Sequence, residues 1–473
     1  MSEGTGTSTT RSMRWWRAFK VAPLSLLVCL LFGWEAWHEV DYYGKWRDGR
    51  MWAWDIEAYH HYLPAAIIHG DVGDLSYVAR LDSALGHTGP MLNYSIGLEK
   101  ETGKWSNKYT AGTALFELPG FLIAHTVVLL SDTSIPADGY SWPYALAWCL
   151  TTIAWVVAGL LVLRRFLLRY CSDIATAAGL IVVAFGTNLW CYTTLDVGMS
   201  HPPLFALFCI ILDATDRWHR SPRMVTAVVL GAALGWVVLA RPIDGMVILV
   251  PVLWNCLPRG AWRAKWTQVG AHPSHVAGSA VAGLLFVLPQ LLYWKYTTDQ
   301  FFYNSYGGEQ IHLTEPHLWE GWFSIRKGWF VYSPLITLGF VGLIIMLARR
   351  TQRAYAVASL VTITLMSYVI FCWWMWFYGG GFGSRATIPL LALLALPTAL
   401  LVDIMRKRKW SSILTVLVIY GGVTLNQFQT RQYHRTLIHY SDMTWERYKL
   451  VWGKKFWEEL SEDEKRRYEE AGL

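Results

Sequence analysis

Two stretches of the chain place carboxylates where acid–base chemistry could be done. Asp55 and Glu57 stand in WDIEAYHHY, and Asp196 stands in TTLDVGMSHPP. A carboxylate beside a substrate hydroxyl can remove its proton as a general base. Structural roles are open for the same residues: Asp55 as the N-cap of a helix that begins at Ile56, and Asp196 as a turn residue. We favour a functional role for Asp196, because no cation lies near it in sequence.

Histidine and tyrosine side chains accompany these carboxylates. Glu57 and His61 stand one helical turn apart, which is a spacing that metal ligands use. We favour a solvated helix face over a metal site for this pair. Tyr59 lies between them, and His201 closes the turn that follows Asp196.

Four cations could bind an anionic substrate. Arg385 follows three consecutive glycines in WFYGGGFGSRATIP, where the backbone can approach a ligand closely and a guanidinium can bind phosphate oxygens through two parallel hydrogen bonds. Lys108, Arg241 and Lys327 each stand beside an apolar segment. Any of the four could instead extend from a helix end toward water.

The composition indicates a membrane protein. Of 473 residues, 54% are hydrophobic and 16% are charged, whereas soluble domains carry about 25% charged residues. The 28 Trp and 24 Tyr suit membrane–water interfaces. The basic residues form small clusters at the ends of apolar runs, which argues against a nucleic-acid partner. The seven cysteines include no CxxC pair and are predicted to be free thiols.

The apolar runs predict an all-α polytopic protein with about 11 transmembrane helices. The first run, Val21 to Trp37, follows four cations that place the N-terminus in the cytoplasm. The short run Phe116–Leu130 is ambiguous. If it lies along the outer surface without crossing, five cationic loop clusters all face the cytoplasm, as the positive-inside rule requires. Ten further runs begin near Trp142, Ile174, Pro202, Val225, Gly245, Val276, Pro334, Ala354, Ile388 and Ile413.

This topology divides the chain into three parts. Residues 1–20 are a cytoplasmic tail, residues 21–426 form the membrane domain with a long, partly helical outer loop at 40–141, and residues 427–473 form a C-terminal tail on the periplasmic side. The protein is therefore predicted to be a multi-pass protein of the cell (inner) membrane, with its candidate site on the periplasmic or extracellular face.

With these residues in order, the chain resembles the GT-C membrane glycosyltransferases that use polyprenyl-phosphate sugars. It is most similar to the bacterial branch related to protein O-mannosyltransferases and aminoarabinose transferases, over about Trp16 to Leu401. The resemblance is carried by the acidic pair early in the long outer loop, by Lys108 before TAGTALFELP, by Asp196 at the next outward turn and by FGSRATIPLLALLALP. The family often has prolines after the lysine, where this chain has Tyr109 to Gly112.

The resemblance implies a GT-C-like fold and inverting transfer of a sugar from a polyprenyl-phosphate donor to an envelope lipid, glycan or protein. It implies that Asp55 is the general base. Cations must lie where the leaving phosphate gains charge, and the candidates are Arg385, Lys108 and Lys327, with Arg241 behind them. Glu57 and Asp196 are further catalytic candidates, and His201, Tyr59 and His61 are candidates for sugar or acceptor contacts.

No cofactor is required by this chemistry, although Asp55 and Asp196 could together hold Mg²⁺ or Mn²⁺. Membrane lipids are expected partners.

A membrane transporter or a lipid or glycan flippase is the rival interpretation, because intramembrane carboxylates and broken helices suit transport as well. Transporters commonly show repeated halves, and the sequence shows none. A non-catalytic scaffold is a third interpretation, which would leave the outward Arg and Asp residues unexplained.

Overall fold

The computed structural model describes residues 22–78, 80–81, 95–131 and 134–472. The predicted cytoplasmic tail, 1–20, lies outside the described residues. Within them the chain is mainly helical, with connecting loops and one short antiparallel pair, β1 (Ile96–Leu98) and β2 (Trp105–Asn107). The helices are α1 (Pro23–Tyr43), α2 (Trp54–His60), α3 (Gly112–Leu130), α4 (Trp142–Leu167), α5 (Asp173–Phe185), α6 (Leu189–Thr194), α7 (His201–Arg220), α8 (Met224–Ala240), α9 (Leu249–Leu253), α10 (Arg259–Gly270), α11 (Pro273–Thr298), α12 (Leu318–Phe323), α13 (Trp329–Tyr332), α14 (Ile336–Ala348), α15 (Arg353–Phe371), α16 (Leu391–Met405), α17 (Lys409–His434), α18 (Trp445–Val451) and α19 (Glu462–Glu470).

Six helical segments among the described residues are long and apolar enough to cross a membrane: α3, α4, α11, α15, α17 and the continuous segment Arg385–Met405 that ends in α16. Shorter apolar helices accompany them, among them α5, α8 and α14. The chain is therefore an all-α membrane protein. The run predicted from Gly245 is a 3₁₀ segment, Pro242–Ile248, followed by the short α9. A total of eleven spans and the GT-C fold stay predictions.

Small residues allow close packing between α8 and α11. A Cβ added at Gly231 would lie 1.9 Å from the Ser279 carbonyl oxygen, and one added at Gly235 would lie 2.3 Å from the Gly283 carbonyl oxygen. Small side chains let helix backbones approach closely, and such contacts join helices in membranes. Substitution at either glycine would force the two helices apart.

The loops that carry the cationic clusters gather at one end of the helix bundle, which we call the Arg164 end. Arg164 Nε donates to Ser25 Oγ at 2.8 Å at the start of α1, and Arg169 Nη1 pairs with Asp213 of α7 at 2.9 Å. Contacts join segments 22–25, 164–173, 213–220, 254–275, 347–355 and 403–406 there. The membrane face at which this end lies stays a prediction.

The predicted outer loops gather at the opposite end, which we call the Asp55 end. Lys108 pairs with Glu309 and so joins the first outer loop to the segment after α11. Arg326 Nη2 pairs with Asp442 at 2.6 Å and joins that segment to the C-terminal region. The segments at this end are 44–78, 95–111, 299–335, 372–390 and 435–472. The charged and aromatic side chains of four separate loops thus come together.

The ambiguous run Phe116–Leu130 is part of α3, which begins four residues earlier and packs antiparallel along α4. Trp155 Nε1 of α4 donates to the Phe116 carbonyl at 2.9 Å, and His125 Nδ1 lies 2.7 Å from Tyr144 Oη. By length and composition α3 is one of the helices that could cross a membrane. Its expected position along the outer surface stays a prediction.

Candidate active site

Asp55 lies in the first turn of α2, and its carboxylate faces two partners from distant parts of the chain. Arg385 Nη2 donates to Oδ2 at 3.1 Å, and the Tyr109 hydroxyl donates to Oδ1 at 2.7 Å. The expected N-cap role is wrong, because Ala53 occupies the cap position and the cap has no side-chain hydrogen bond. Asp55 still lies in the first turn, where the helix dipole favours a carboxylate, and its side chain also belongs to a charged and phenolic cluster.

The glycine-rich turn holds Arg385 in position. Gly383 has a φ of +58°, and a Cβ added at Gly381 would lie 2.4 Å from the Tyr192 hydroxyl. Only glycine fits both requirements without strain. Arg385 Nη1 donates to the Gly380 carbonyl at 3.1 Å, while Nε is buried and has no hydrogen-bond partner among the described residues. A buried donor of this kind suits an oxyanion ligand.

Tyrosine rings surround the Asp55–Arg385 pair. Tyr59 is buried and its ring lies 5.0 Å from that of Tyr109, which in turn lies 6.1 Å from the ring of Tyr306. Burial and the Asp55 and Glu309 carboxylates raise the pKa of the Tyr306 hydroxyl, so it remains protonated. The wall offers apolar ring faces together with hydroxyl groups, a combination that suits a sugar.

Two further predicted cations lie beside this wall. The Lys108 ammonium pairs with Glu309 and lies 5.0 Å from the centre of the Tyr306 ring. Arg241 Nη1 lies 3.1 Å from His201 Nδ1 and 3.4 Å from Asp244. Its guanidinium lies 5.7 Å from the ring of Tyr378, whose pKa burial raises to about 12. The structure therefore brings Asp55, Tyr59, Lys108, His201, Arg241 and Arg385 into one region.

Asp196 lies at the same end of the bundle with partners of its own. Tyr433 Oη donates to Asp196 Oδ2 at 2.8 Å, and Lys45 Nζ lies 3.7 Å from Oδ1. The cation that is missing near Asp196 in sequence is thus supplied by Lys45 in space. Among the residues that the structure describes, no group of three or more His, Cys, Asp and Glu side chains could hold a metal ion. Binding of Mg²⁺ or Mn²⁺ by Asp55 and Asp196 stays a prediction.

Lys327 holds backbone in place at the edge of the site. Its ammonium is buried and donates to the carbonyls of Gly381 and Tyr440, so it ties the glycine-rich turn to the C-terminal segment. Burial and the neighbouring Arg385 charge lower the pKa of Lys327 to about 7. Through these contacts Lys327 positions the turn that carries Arg385.

Glu57 and His61 lie on the other side of α2 and do not form the solvated face that the sequence suggested. They are 2% and 3% exposed. His61 Nε2 lies 3.9 Å from Glu57 Oε1, and the Tyr140 hydroxyl lies 3.0 Å from His61 Nδ1. The segment before α4 folds back over α2, where Gly139 O also lies 2.6 Å from His60 Nε2. The expectation of a solvated face is wrong because this returning segment covers both residues.

Several site residues were missed by sequence reasoning. Tyr109 was noted only as a departure from the proline pattern, and Tyr306, Glu309, Lys45 and Tyr433 were not singled out. Tyr306 and Glu309 stand in SYGGEQ, where two glycines between a tyrosine and an acidic residue are a local pattern that could have indicated a binding loop. Lys45 and Tyr433 carry no such local signal.

Comparison with protein-family models, curated proteins and solved structures finds no match for this chain.

Proposed function

We propose that this protein is an inverting glycosyltransferase that moves a sugar from a polyprenyl-phosphate donor to an envelope lipid, glycan or protein on the outer face of the membrane. The observation that carries the proposal is the pairing of the Asp55 carboxylate with Arg385 inside a wall of tyrosines. A proton acceptor and a phosphate-binding cation are the two groups that the reaction needs, and here they are in contact.

In the proposed reaction an acceptor oxygen attacks the anomeric carbon of the donor. The bond from that carbon to the phosphate oxygen breaks, and the phosphate leaves with the electron pair. Asp55 takes the proton of the acceptor hydroxyl as general base. Arg385 stabilises the charge that develops on the leaving phosphate, with Lys108 and Arg241 adding positive potential nearby.

The Asp55–Arg385 contact also suggests how donor binding prepares the base. Arg385 Nη2 donates to the carboxylate and Nε has no hydrogen-bond partner among the described residues. A donor phosphate that binds both nitrogens would draw the guanidinium away from Asp55. Asp55 Oδ2 would then be available to the acceptor hydroxyl, while the Tyr109 hydroxyl keeps Oδ1 in place.

The test is a transfer assay on the purified full chain in lipid nanodiscs, with a panel of polyprenyl-phosphate sugars and cell-envelope extract as acceptor. We expect release of polyprenyl phosphate together with a labelled acceptor. Arg385→Ala should abolish release, whereas Arg431→Ala, at an exposed arginine on α17, should leave it unchanged. Passage of an intact donor lipid between leaflets, with no release of polyprenyl phosphate, would instead favour the flippase interpretation.

A further inference from the structure

A cavity of about 380 Å³ lies between the end of α17 and the C-terminal segment. Its volume falls in the range of roughly 300–1,000 Å³ that is usual for small-molecule sites. Aromatic rings dominate the lining, which consists of Tyr433, Thr436, Ile438, His439, Tyr440, Trp457 and Tyr468. The cavity lies outside the Asp55–Arg385 cluster, and the proposed reaction does not use it.

Two walls of this cavity are bonded directly to the candidate active site. The Tyr433 hydroxyl donates to Asp196 Oδ2 at 2.8 Å. The Tyr440 carbonyl accepts from the Gly381 N–H at 3.0 Å, within the turn that carries Arg385. A Cβ added at Gly380 would lie 3.3 Å from Tyr440 Cδ2, so the ring packs on that turn. A molecule in the cavity would therefore lie next to both Asp196 and the phosphate-binding turn.

The polar groups of the lining are hydroxyl, indole and imidazole groups without charge. His439 Nδ1 accepts from the N–H of Asp442 at 2.8 Å, so the neutral ring carries its proton on Nε2. Burial and the Arg447 charge lower the pKa of His439, which keeps the ring neutral near pH 7. The His439 ring stacks on Tyr440 with centroids 4.5 Å apart. No Asp, Glu, Lys or Arg side chain lines the cavity among the described residues.

This lining suits a neutral ring that has an apolar face and a polar edge. A phosphate would need cations, and a prenyl chain would need a slot without histidine and hydroxyl groups. A pyranose ring presents C–H bonds on its faces and hydroxyls around its edge, so aromatic faces and isolated donors complement it. Tyr440 is 59% exposed, so its ring is accessible to a ligand.

We propose that this cavity is the acceptor subsite and binds a sugar ring of a glycan or glycolipid acceptor, stacked on Trp457 and Tyr440 with a hydroxyl at His439 Nε2. This inference rests on the proposed function and narrows the acceptor to a saccharide. Asp196 then lies at the boundary between this subsite and the reacting groups, where it can orient an acceptor hydroxyl through Tyr433.

The experiment is saturation-transfer NMR on the full chain in nanodiscs, with the methyl pyranosides of glucose, galactose, mannose and N-acetylglucosamine as probes. At least one probe should receive saturation from the wild-type protein. Trp457→Ala and Tyr440→Ala should each weaken its binding about tenfold, which corresponds to about 1.4 kcal/mol. Trp457→Phe should retain most of the binding, which separates stacking from loss of folding. Trp445→Ala is the matched control, since Trp445 is 56% exposed in the same segment and outside the lining.

Absence of saturation transfer to every probe would overturn the subsite, and so would full binding by both alanine variants. Displacement of the saccharide by farnesyl phosphate at equal concentration would assign the cavity to the lipid chain instead. Arg385→Ala separates this inference from the proposed function, because it should abolish donor use while saccharide binding persists. Saccharide binding by a protein that uses no donor would therefore reject the transferase, and with it the acceptor role, but not the saccharide-binding cavity.

Discussion

Arg385 donates a hydrogen bond to Asp55 at 3.1 Å across 330 positions of sequence, and both side chains are largely buried at 17% and 14% exposure. A pair of this kind is costly to desolvate and stabilises a fold little by itself. Its position beside Tyr59, Tyr109 and Tyr306, where loops from distant parts of the chain meet, is better explained by use in chemistry.

The first prediction concerns Arg385. Arg385→Ala should lower transfer by at least a hundredfold, because the leaving phosphate loses its two-point donor. Arg385→Lys should recover only part of the activity, since an ammonium cannot make two parallel hydrogen bonds. Initial rates of polyprenyl phosphate release measure both. Rates close to wild type for both variants would remove Arg385 from the mechanism.

The second prediction concerns the hydroxyl that holds the base. Tyr109→Phe removes the hydroxyl that donates a hydrogen bond to Asp55 Oδ1. The carboxylate then loses its orientation, while binding of the polyprenyl-phosphate sugar is retained. A hydrogen bond to a charged group contributes about 1.5–3 kcal/mol, so we expect the transfer rate to fall about tenfold or more at an unchanged KM for the donor. Tyr42→Phe, at a tyrosine 78% exposed on α1, is the control. An equal rate for Tyr109→Phe and the control would contradict this role.

The third prediction follows from the buried ammonium of Lys327, whose pKa is lowered to about 7. The folded chain loses this proton near pH 7, whereas the unfolded chain keeps it until about pH 10.4. Between those pH values the unfolded state binds more protons, so the free energy of unfolding rises with pH. This stabilisation is lost as the pH falls from about 10.4 to about 7. Thermal unfolding from pH 6 to pH 10 should show this rise for wild type and a smaller one for Lys327→Met. Identical slopes would show that Lys327 does not titrate in this range.

The fourth prediction concerns topology. Asp48→Cys at the Asp55 end should react with a membrane-impermeant maleimide in intact cells, and Arg350→Cys at the Arg164 end should react only after permeabilisation. Both positions are exposed in the structure, and the wild-type protein with its seven cysteines is the control. Labelling of Arg350→Cys in intact cells would reverse the orientation and place the candidate site in the cytoplasm.

The sequence offers candidate site residues but does not predict their partners in space. Asp55 and Arg385 were each chosen for their chemistry, but a pairing across 330 residues leaves no trace in local spacing. The solvated face expected for Glu57 and His61 failed for a related reason. Helical periodicity describes one helix alone, whereas the burial of α2 depends on the segment around Tyr140 that returns over it.

The helices were predicted well, because hydrophobic length is a local property. All ten runs after the first coincide with helical segments, although the run from Gly245 is short and partly 3₁₀. The contribution of the C-terminal segment was not predicted, since the sequence indicates only a tail on the periplasmic side for residues 427–473. Aromatic residues at the end of α17, after it and in α19 line the cavity, and only tertiary packing brings them together.

The central claim is that Asp55 is the general base. The most direct measurement is the single-turnover transfer rate of Asp55→Asn, with donor bound at saturation and Asp48→Asn as the control. The variant keeps the shape of the side chain and an acceptor for the Tyr109 hydroxyl but cannot take a proton. Removal of a general base costs about 10²–10⁴-fold in rate, so we predict normal expression, retained donor binding and a rate at least a hundredfold below wild type. A decrease of less than about tenfold would fall short of the low end of that range. Such a result would remove Asp55 from the mechanism and move the base to Asp196.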